Sequence, residues 1–458
     1  MNSYWWSIVV LGAMFVLATA LPVNMGVLAF VGAFAVGTLV AGMEVKAIMA
    51  GYPADLFLTL VGITYLFALA QNNGTIDWLV HLAVRAVRGR IWAIPWIMFF
   101  IAAALTGVGA VSPAAVAILA PIALGFAARH GIHPLMMGLM IIHGAQGGGF
   151  SPISIYGGIT NKIVARAGLP LDEMVTMFAS LGVNLAVALL LFVAMGGLRL
   201  MRQNESRPVS MSFRTPRVAH AQSGAQAFGD AEGQSFGEGQ RIVAQGAASV
   251  LDPAVSGAIT GSQAYRLFTV AGLVTLAVAT LYYKVDIGFM SITIGLVLSL
   301  IAPNLQRRAL GQVSWPEIML IVGVSTYVSV LDKMGTIAYV GDSVASLTSP
   351  LVAALLLCFI GAVISAFASS TAVLGSLIPL AVPFLQGDAG VGAVGFIAAM
   401  AVSSTIVDVS PFSTNGALVL ANAKGVDRDR FFRQLMTYGA AVTLVAPVAV
   451  WLIFVVSQ

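Results

Sequence analysis

Four stretches of this sequence place polar or helix-breaking residues inside long apolar runs. Two of them read as tips: Thr106-Gly107-Val108-Gly109-Ala110-Val111-Ser112-Pro113 and Ser365-Ala366-Phe367-Ala368-Ser369-Ser370-Thr371. After each tip a helix restarts, with Ser112 or Ser370 expected at its N-cap. Pro113 suits a first turn, where its missing N–H costs nothing. A helix N-terminus at membrane depth offers free N–H groups and a positive dipole end, which attract anions. The bland alternative is that small residues there only let helices pack closely.

The other two stretches read as breaks. One runs from Gly144 through Gln146, Gly147, Gly148, Gly149, Ser151 and Pro152 to Thr160-Asn161. The other runs from Ser403 through Thr405, Asp408, Ser410 and Pro411 to Asn415. Three consecutive glycines and a proline make poor helix. Irregular backbone at this depth is tolerated only where it lines a cavity or is buried in protein. Freed carbonyls there can coordinate a cation, and half-helix N-termini can hold an anion. Asp408 is the one acid placed deep in a membrane segment; Asp55 sits near a helix start. An intramembrane carboxylate is functional by default, as an Na⁺ ligand or a proton carrier, and otherwise a structural acid satisfied by backbone N–H groups. His143, one turn before the glycine run, is either a ligand or proton carrier or a hydrogen-bonded packing residue. His130 and His133 fall in a loop and His220 in a linker, and the five histidines show no HExxH or other metal spacing.

The expected substrate-binding residues are Ser112, Pro113, Gln146, Ser151 and Asn161 from the first half, with Ser369, Ser370, Thr371, Ser410 and Asn415 from the second. The expected coupling-ion residues are Asp408, Gly147, Gly148, Gly149, Ser403 and Thr405. No Lys or Arg falls in the tips or breaks. An anion there would be held by dipoles, hydroxyls and co-bound cations, which argues for coupling to Na⁺ or H⁺. No cofactor is expected beyond a bound Na⁺.

The elements that must position these residues follow from composition. The 458 residues are 59% hydrophobic and 9% charged, and mean hydropathy is +0.96. Soluble domains carry about 25% charge. These values exclude a soluble enzyme and a nucleic-acid binder and leave a polytopic membrane protein in a lipid bilayer. Residues 1–43, 91–128 and 343–387 lack Asp, Glu, Lys and Arg. Each run is too long for one crossing of about 20 residues. The single cysteine, Cys358, rules out a disulfide framework and a Cys-based metal site. The first residues, MNSYWWSIVV, lack a positive n-region and read as a retained helix.

The chain matches itself at an offset of roughly 260 residues. Asn24-Met25-Gly26 answers Asp286-Ile287-Gly288, Pro53 answers Pro316, Thr64-Tyr65 answers Thr326-Tyr327, and Gly74-Thr75-Ile76 answers Gly335-Thr336-Ile337. SPAAVAILAP from Ser112 answers STAVLGSLIP from Ser370, and Ser151-Pro152 answers Ser410-Pro411. Repeats come before other fold arguments. The reading is a first repeat at 1–200, a disordered cytoplasmic linker at 201–262 and a second repeat at 263–458. In the first half helices are expected at 4–21, 23–42, 54–72 and 174–198, with an interfacial amphipathic segment at 75–90. A re-entrant pair lies at 92–128 and a broken helix at 134–165. The second half gives 266–283, 287–303, 317–333 and 433–456, a re-entrant pair at 350–386 and a broken helix at 391–421. The fold class is therefore all-α polytopic, with about five transmembrane helices and one re-entrant hairpin per half.

Five crossings per half invert the second half relative to the first. With the N-terminus outside, seventeen basic residues fall on one side and Lys46, Lys162, Arg166, Lys284 and Lys333 on the other. The positive-inside rule makes the first side cytoplasmic and both termini periplasmic. All seven tryptophans lie near expected helix ends, as an aromatic belt requires.

GYPADLFLTLVGITYLFALAQNNGTIDWLV, VRGRIWAIPWIMF, SPAAVAILAPIAL, HPLMMGLMIIHGAQGGGFSPISIYGGITN and VDVSPFSTNGALVLANA resemble the MatC-type dicarboxylate (malonate) carriers, of the superfamily that includes sodium-coupled dicarboxylate symporters. The resemblance implies a bacterial inner-membrane carrier for malonate or a related small dicarboxylate. It also implies a homodimer with an early-helix scaffold and a transport domain moving as an elevator. In that superfamily each tip carries a Ser-Asn-Thr motif that touches substrate carboxylate and borders a sodium site. The matching positions here are Val111-Ser112-Pro113 and Ser369-Ser370-Thr371. The asparagine is replaced in both, and the first tip loses two of three polar side chains. Ser112 and backbone N–H groups are left for the carboxylate, and Asp408, whose first-half counterpart is Gly149, for the coupling ion.

The alternatives are a cation/proton antiporter or an inorganic-anion transporter on the same scaffold. An intramembrane enzyme would need a nucleophile, metal motif or paired aspartates, and none is present. A passive channel would not need two repeat-related breaks and two tips.

Overall fold

The computed structural model describes residues 3–21, 23–86, 90–204, 262–337, 339, 349–366, 370–386, 391–423 and 426–457. Ser369 and most of the expected linker, 205–261, lie outside the described residues. Among the described residues the chain is helical, with no strand.

The first half holds α1 (Ser3–Ala20), α2 (Met25–Ala35), α3 (Val45–Met49), α4 (Ala54–Asn72), α5 (Thr75–Ala86), α6 (Ile94–Gly107), α7 (Ser112–His130), α8 (Pro134–Gly148), α9 (Ile155–Arg166), α10 (Glu173–Ala194) and α11 (Gly197–Asn204). The second holds α12 (Gln263–Leu281), α13 (Ile287–Ile301), α14 (Pro303–Gly311), α15 (Trp315–Lys333), α16 (Pro350–Ser365), α17 (Ser370–Gln386), α18 (Ala393–Ile406), α19 (Thr414–Asn422) and α20 (Arg428–Trp451). Among the described residues six helices are long and apolar enough to cross a membrane: α4, α7, α10, α12, α15, and α20 with its π-helical extension to Val456. The expected all-α polytopic protein is what the structure shows. The short α3, α11 and α14 were not expected, being too brief for a hydropathy window. α20 begins at Arg428 rather than at residue 433, because the Asp427 carboxylate takes the N–H groups of Asp429 and Arg430 and starts the helix there.

Local chemistry explains most helix starts. Asn24 caps α2 through the Gly26 N–H at 2.9 Å, and Asp286 caps α13 through the Phe289 N–H at 3.0 Å. Prolines stand in the first turns of α6, α7, α8, α15 and α16. α6 and α7 form a hairpin turned at Gly109, whose φ of 112° only glycine adopts at low cost. A Cβ there would also lie 2.2 Å from Ile63 Cγ2.

The halves pack reciprocally. α2 lies on α15 as α13 lies on α4, and α7 on α19 as α17 on α9. α6 lies on α8 as α16 on α18, and α10 on α18 as α20 on α8. A Cβ on Gly323 would fall 2.1 Å from the Gly26 carbonyl oxygen, and one on Gly62 would fall 2.6 Å from that of Gly288. Helix pairs in lipid approach this closely only where residues are small, since apolar surface alone gives no preference between a neighbouring helix and a lipid tail.

Candidate functional site

Each half contains one broken helix, and the two breaks are built alike. The first separates α8 from α9 at 149–154 and the second separates α18 from α19 at 407–413. Ser154 precedes α9 and its hydroxyl donates to the Ser151 carbonyl at 2.6 Å; Ser413 precedes α19 and donates to the Ser410 carbonyl at 2.7 Å. The Ser151 hydroxyl oxygen accepts the Ile153 N–H at 3.4 Å, and the Ser410 hydroxyl oxygen accepts the Phe412 N–H at 3.2 Å. Serine hydroxyls that mimic a backbone turn are the local alternative to continuing a helix. Ser151 and Ser410 were expected to bind substrate, and both hydroxyls shape their turns.

The breaks differ at one repeat-related position, where the first half has Gly149 and the second Asp408. The Gly149 carbonyl accepts the Gly157 N–H at 3.2 Å and the Ser154 hydroxyl. Asp408 is 3% exposed. Its Oδ1 accepts the Asn415 backbone N–H at 3.1 Å and its Oδ2 the Asn415 side-chain amide at 2.8 Å. The carboxylate thus bridges the break onto the first turn of α19, where a negative charge meets the positive end of the helix.

The same amide of Asn415 donates to the Ser112 hydroxyl oxygen at 2.8 Å. Ser112 was expected to be the N-cap of α7, but the cap is Val111 and Ser112 is the first helical residue. Its hydroxyl is therefore not spent on a backbone N–H and faces the second break. Pro113 occupies the following position. At the second tip the Ser370 hydroxyl lies 2.9 Å from that of Ser365, and Ser370 and Thr371 are buried.

Tyr156 completes the arrangement and was missed from the sequence. Its buried hydroxyl faces Ser112, Ser370 and Thr371, with Asp408 nearby. Tyr156 and Asn415 occupy equivalent positions, each two residues beyond the serine that precedes its helix. Each therefore addresses the opposite half's tip, and the repeat offset would have marked Tyr156. Thr106, Ser112, Gly149 and Tyr156 line a narrow crevice between the first tip and the first break.

Gln146 is fully buried beside Asp408. Its side chain faces the Asp408 carboxylate, and Asn415 Oδ1 has no hydrogen-bond partner among the described residues. Unsatisfied buried polar atoms cost about 1–3 kcal/mol each, so they are retained where a ligand can meet them. The structure thus brings together Ser112, Gln146, Ser370, Thr371, Asp408 and Asn415. Asn161, also with an unpartnered Oδ1, lies further along α9.

Part of the expected coupling-ion set has other duties. Gly147 and Gly148 remain in α8, and the break starts at Gly149. A Cβ on Gly148 would sit 1.9 Å from the Ala103 carbonyl oxygen, and one on Gly144 would sit 2.2 Å from that of Phe99. Gly144 and Gly148 therefore let α6 approach α8. Ser403 donates to the Met400 carbonyl at 3.1 Å and Thr405 to the Ala401 carbonyl at 3.0 Å. His143 is held on both sides, with Nδ1 2.8 Å from Asn184 Oδ1 and Nε2 2.6 Å from the Tyr438 hydroxyl. The Asn184 amide nitrogen donates to the Ser180 carbonyl at 2.9 Å. The Asn184 oxygen is thus left to accept from His143 Nδ1–H, and Tyr438 donates to Nε2. Among the described residues no three His, Cys, Asp or Glu side chains gather as a metal site.

Residues 1–149 match the family model of the dicarboxylate carrier protein MatC N-terminus. The resemblance read from the sequence holds over those residues, and the match is to a carrier rather than an enzyme. No curated protein matches the chain. Among solved structures, Neisseria gonorrhoeae MtrF, described within a class of antimetabolite efflux pumps, is similar at 16% identity and a TM-score of 0.52, over 90% of this chain and 83% of its own. The Alcanivorax borkumensis YdaH transporter, described as having an unusual topology, is similar at 13% identity and a TM-score of 0.54, over 88% and 86%. At these identities the likeness concerns the fold, which is that of a multi-pass membrane transporter.

Proposed function

We propose that this protein is a secondary active carrier of small dicarboxylates, malonate first, driven by symport of Na⁺ or H⁺. One observation carries the reading. Ser112, Tyr156, Ser370, Thr371 and Asn415 present neutral hydroxyl and amide groups to one place where two breaks meet two helix N-termini, with Asp408 beside them. Neutral donors and helix N-termini suit a carboxylate. The carrier family matched by residues 1–149 supports the dicarboxylate.

Coupling follows from charge. A dicarboxylate beside an ionised Asp408 brings three negative charges into a buried site without Lys or Arg. Isolated charges are far too costly to desolvate, so cations must enter with the substrate. Asp408 and the Gln146 side chain are the groups placed to receive them. The reciprocal packing of the halves supports inverted repeats around this site, as alternating access requires. The elevator motion, the homodimer, the bacterial inner membrane and the periplasmic termini belong to the same reading and rest on the resemblance and the charge count.

The test is uptake of labelled malonate by purified protein in sealed liposomes, under separately imposed Na⁺ and proton gradients, with succinate and malate as competitors. Uptake driven by one gradient establishes the carrier and names its ion. Absence of uptake under both overturns the dicarboxylate reading and moves the search to inorganic anions and cation/proton exchange.

A further inference from the structure

A groove of about 500 Å³ opens between α8 and α20. Its α20 wall carries Arg430, Arg433, Gln434, Thr437 and Tyr438, facing Leu135 of α8. These residues recur at three- and four-residue steps and so form one stripe along the helix. Neither guanidinium is ion-paired with a carboxylate among the described residues. Asp427, exposed three residues before Arg430, caps α20 through the N–H groups of Asp429 and Arg430. His133, before α8, lies beside Arg430, and burial and that guanidinium lower its pKa. It is therefore neutral near pH 7, and the charge of the groove comes from the arginines.

The fold does not require this charge. α10, the repeat counterpart of α20, is capped in the same way, with Asp172 taking the N–H groups of Met174 and Val175. Aligned on the caps, Arg430, Arg433, Gln434, Thr437 and Tyr438 stand opposite Val175, Phe178, Ala179, Gly182 and Val183. The same helix is thus apolar in one half and basic in the other.

The groove also leads toward the candidate site. At its inner end Tyr438 donates to His143. The next residue, Gly439, packs its backbone on Ser410, where an added Cβ would lie 3.1 Å from Ser410 Cα. One layer, Tyr438 with His143, therefore separates the groove from the second break. The midplane site has neutral donors, and the arginines stand outside it, where they can concentrate a dianion from water without trapping it.

We propose that the α8–α20 groove is a second binding site for small dicarboxylates, a vestibule in which Arg430 and Arg433 hold a carboxylate before it reaches, or after it leaves, the candidate site. The vestibule role rests on the transport reading above. The phosphate of an anionic lipid headgroup presents related chemistry to a basic groove, and the test separates the two sources.

The chain carries one cysteine, so Cys358→Ser gives a background in which Thr437→Cys, or Gln434→Cys as a second position, places a thiol on the groove wall. The labelling rate by a neutral maleimide is measured in nanodiscs of phosphatidylcholine, with and without malonate, and in nanodiscs containing phosphatidylglycerol. Malonate is expected to slow labelling at least about threefold, and Arg430→Gln with Arg433→Gln to abolish that protection while the protein stays monodisperse. In liposomes of known orientation, the same pair should raise the malonate KM on the arginine side alone. Protection by phosphatidylglycerol but not malonate makes this a lipid site and overturns the proposal, as does a rate indifferent to both. Malonate protection without malonate uptake leaves the binding site standing and overturns the transport reading. Uptake without protection does the reverse.

Discussion

The side-chain amide of Asn415 joins the Asp408 carboxylate to the Ser112 hydroxyl, at 2.8 Å on each side. Asn415 and Ser112 are 303 residues apart in sequence. The contact ties the second break to the first tip, so a displacement of either is felt by the other. Asn415→Ala leaves Asp408 Oδ2 and Ser112 without this partner. It is expected to lower stability by about 1–3 kcal/mol and to cut malonate uptake at least tenfold. Thermal unfolding and initial uptake rates on one preparation check both.

Asp408 has two separable duties, bridging the break and carrying charge. Asp408→Asn keeps an oxygen for the Asn415 N–H and removes the charge. The variant keeps one acceptor oxygen and loses the bond from the Asn415 side-chain amide to Oδ2, so it is expected to lower stability by about 1–3 kcal/mol and to lose the response of uptake to the ion gradient. A variant that transports with full ion coupling would show that Asp408 is structural only.

Tyr156→Phe removes a single hydroxyl facing Ser112, Ser370 and Thr371. A hydrogen bond to a charged group is worth about 1.5–3 kcal/mol. The malonate KM is therefore expected to rise about tenfold or more, at about 1.4 kcal/mol per tenfold, with stability little changed. An unchanged KM would place the hydroxyl outside the substrate site.

The glycine run separates packing from ion binding. Gly148→Ala drives a methyl into the Ala103 carbonyl, whereas an added Cβ on Gly147 finds nothing nearer than 3.4 Å. Overpacking costs about 1–3 kcal/mol. Gly148→Ala should lower the unfolding temperature by several degrees, and Gly147→Ala should be close to neutral. Equal effects at both positions, or a loss of ion coupling in Gly147→Ala without loss of stability, would return the run to the ion site.

The spans, the tips, the breaks and the repeat were legible in the sequence because each is local. Expected helix 54–72 is α4 from Ala54 to Asn72, and the broken helix expected at 134–165 opens at Gly149. Hydropathy sets a span, and a Ser-Pro-x-Ser turn stops a helix, without reference to the rest of the chain. Which residues meet at the site was decided by the tertiary structure. Gly148 looked like ligand-binding backbone until α6 was seen against it. Ser112 looked like a cap until Val111 was seen in that place. Tyr156 looked like a helix residue until the opposite tip was seen facing it. The physical reason lies in the medium. A lipid-facing leucine and a helix-facing leucine are in equally apolar surroundings, so hydropathy does not say which helices touch. Close glycine contacts and a few buried polar groups select the neighbours, and their partners lie in distant parts of the chain.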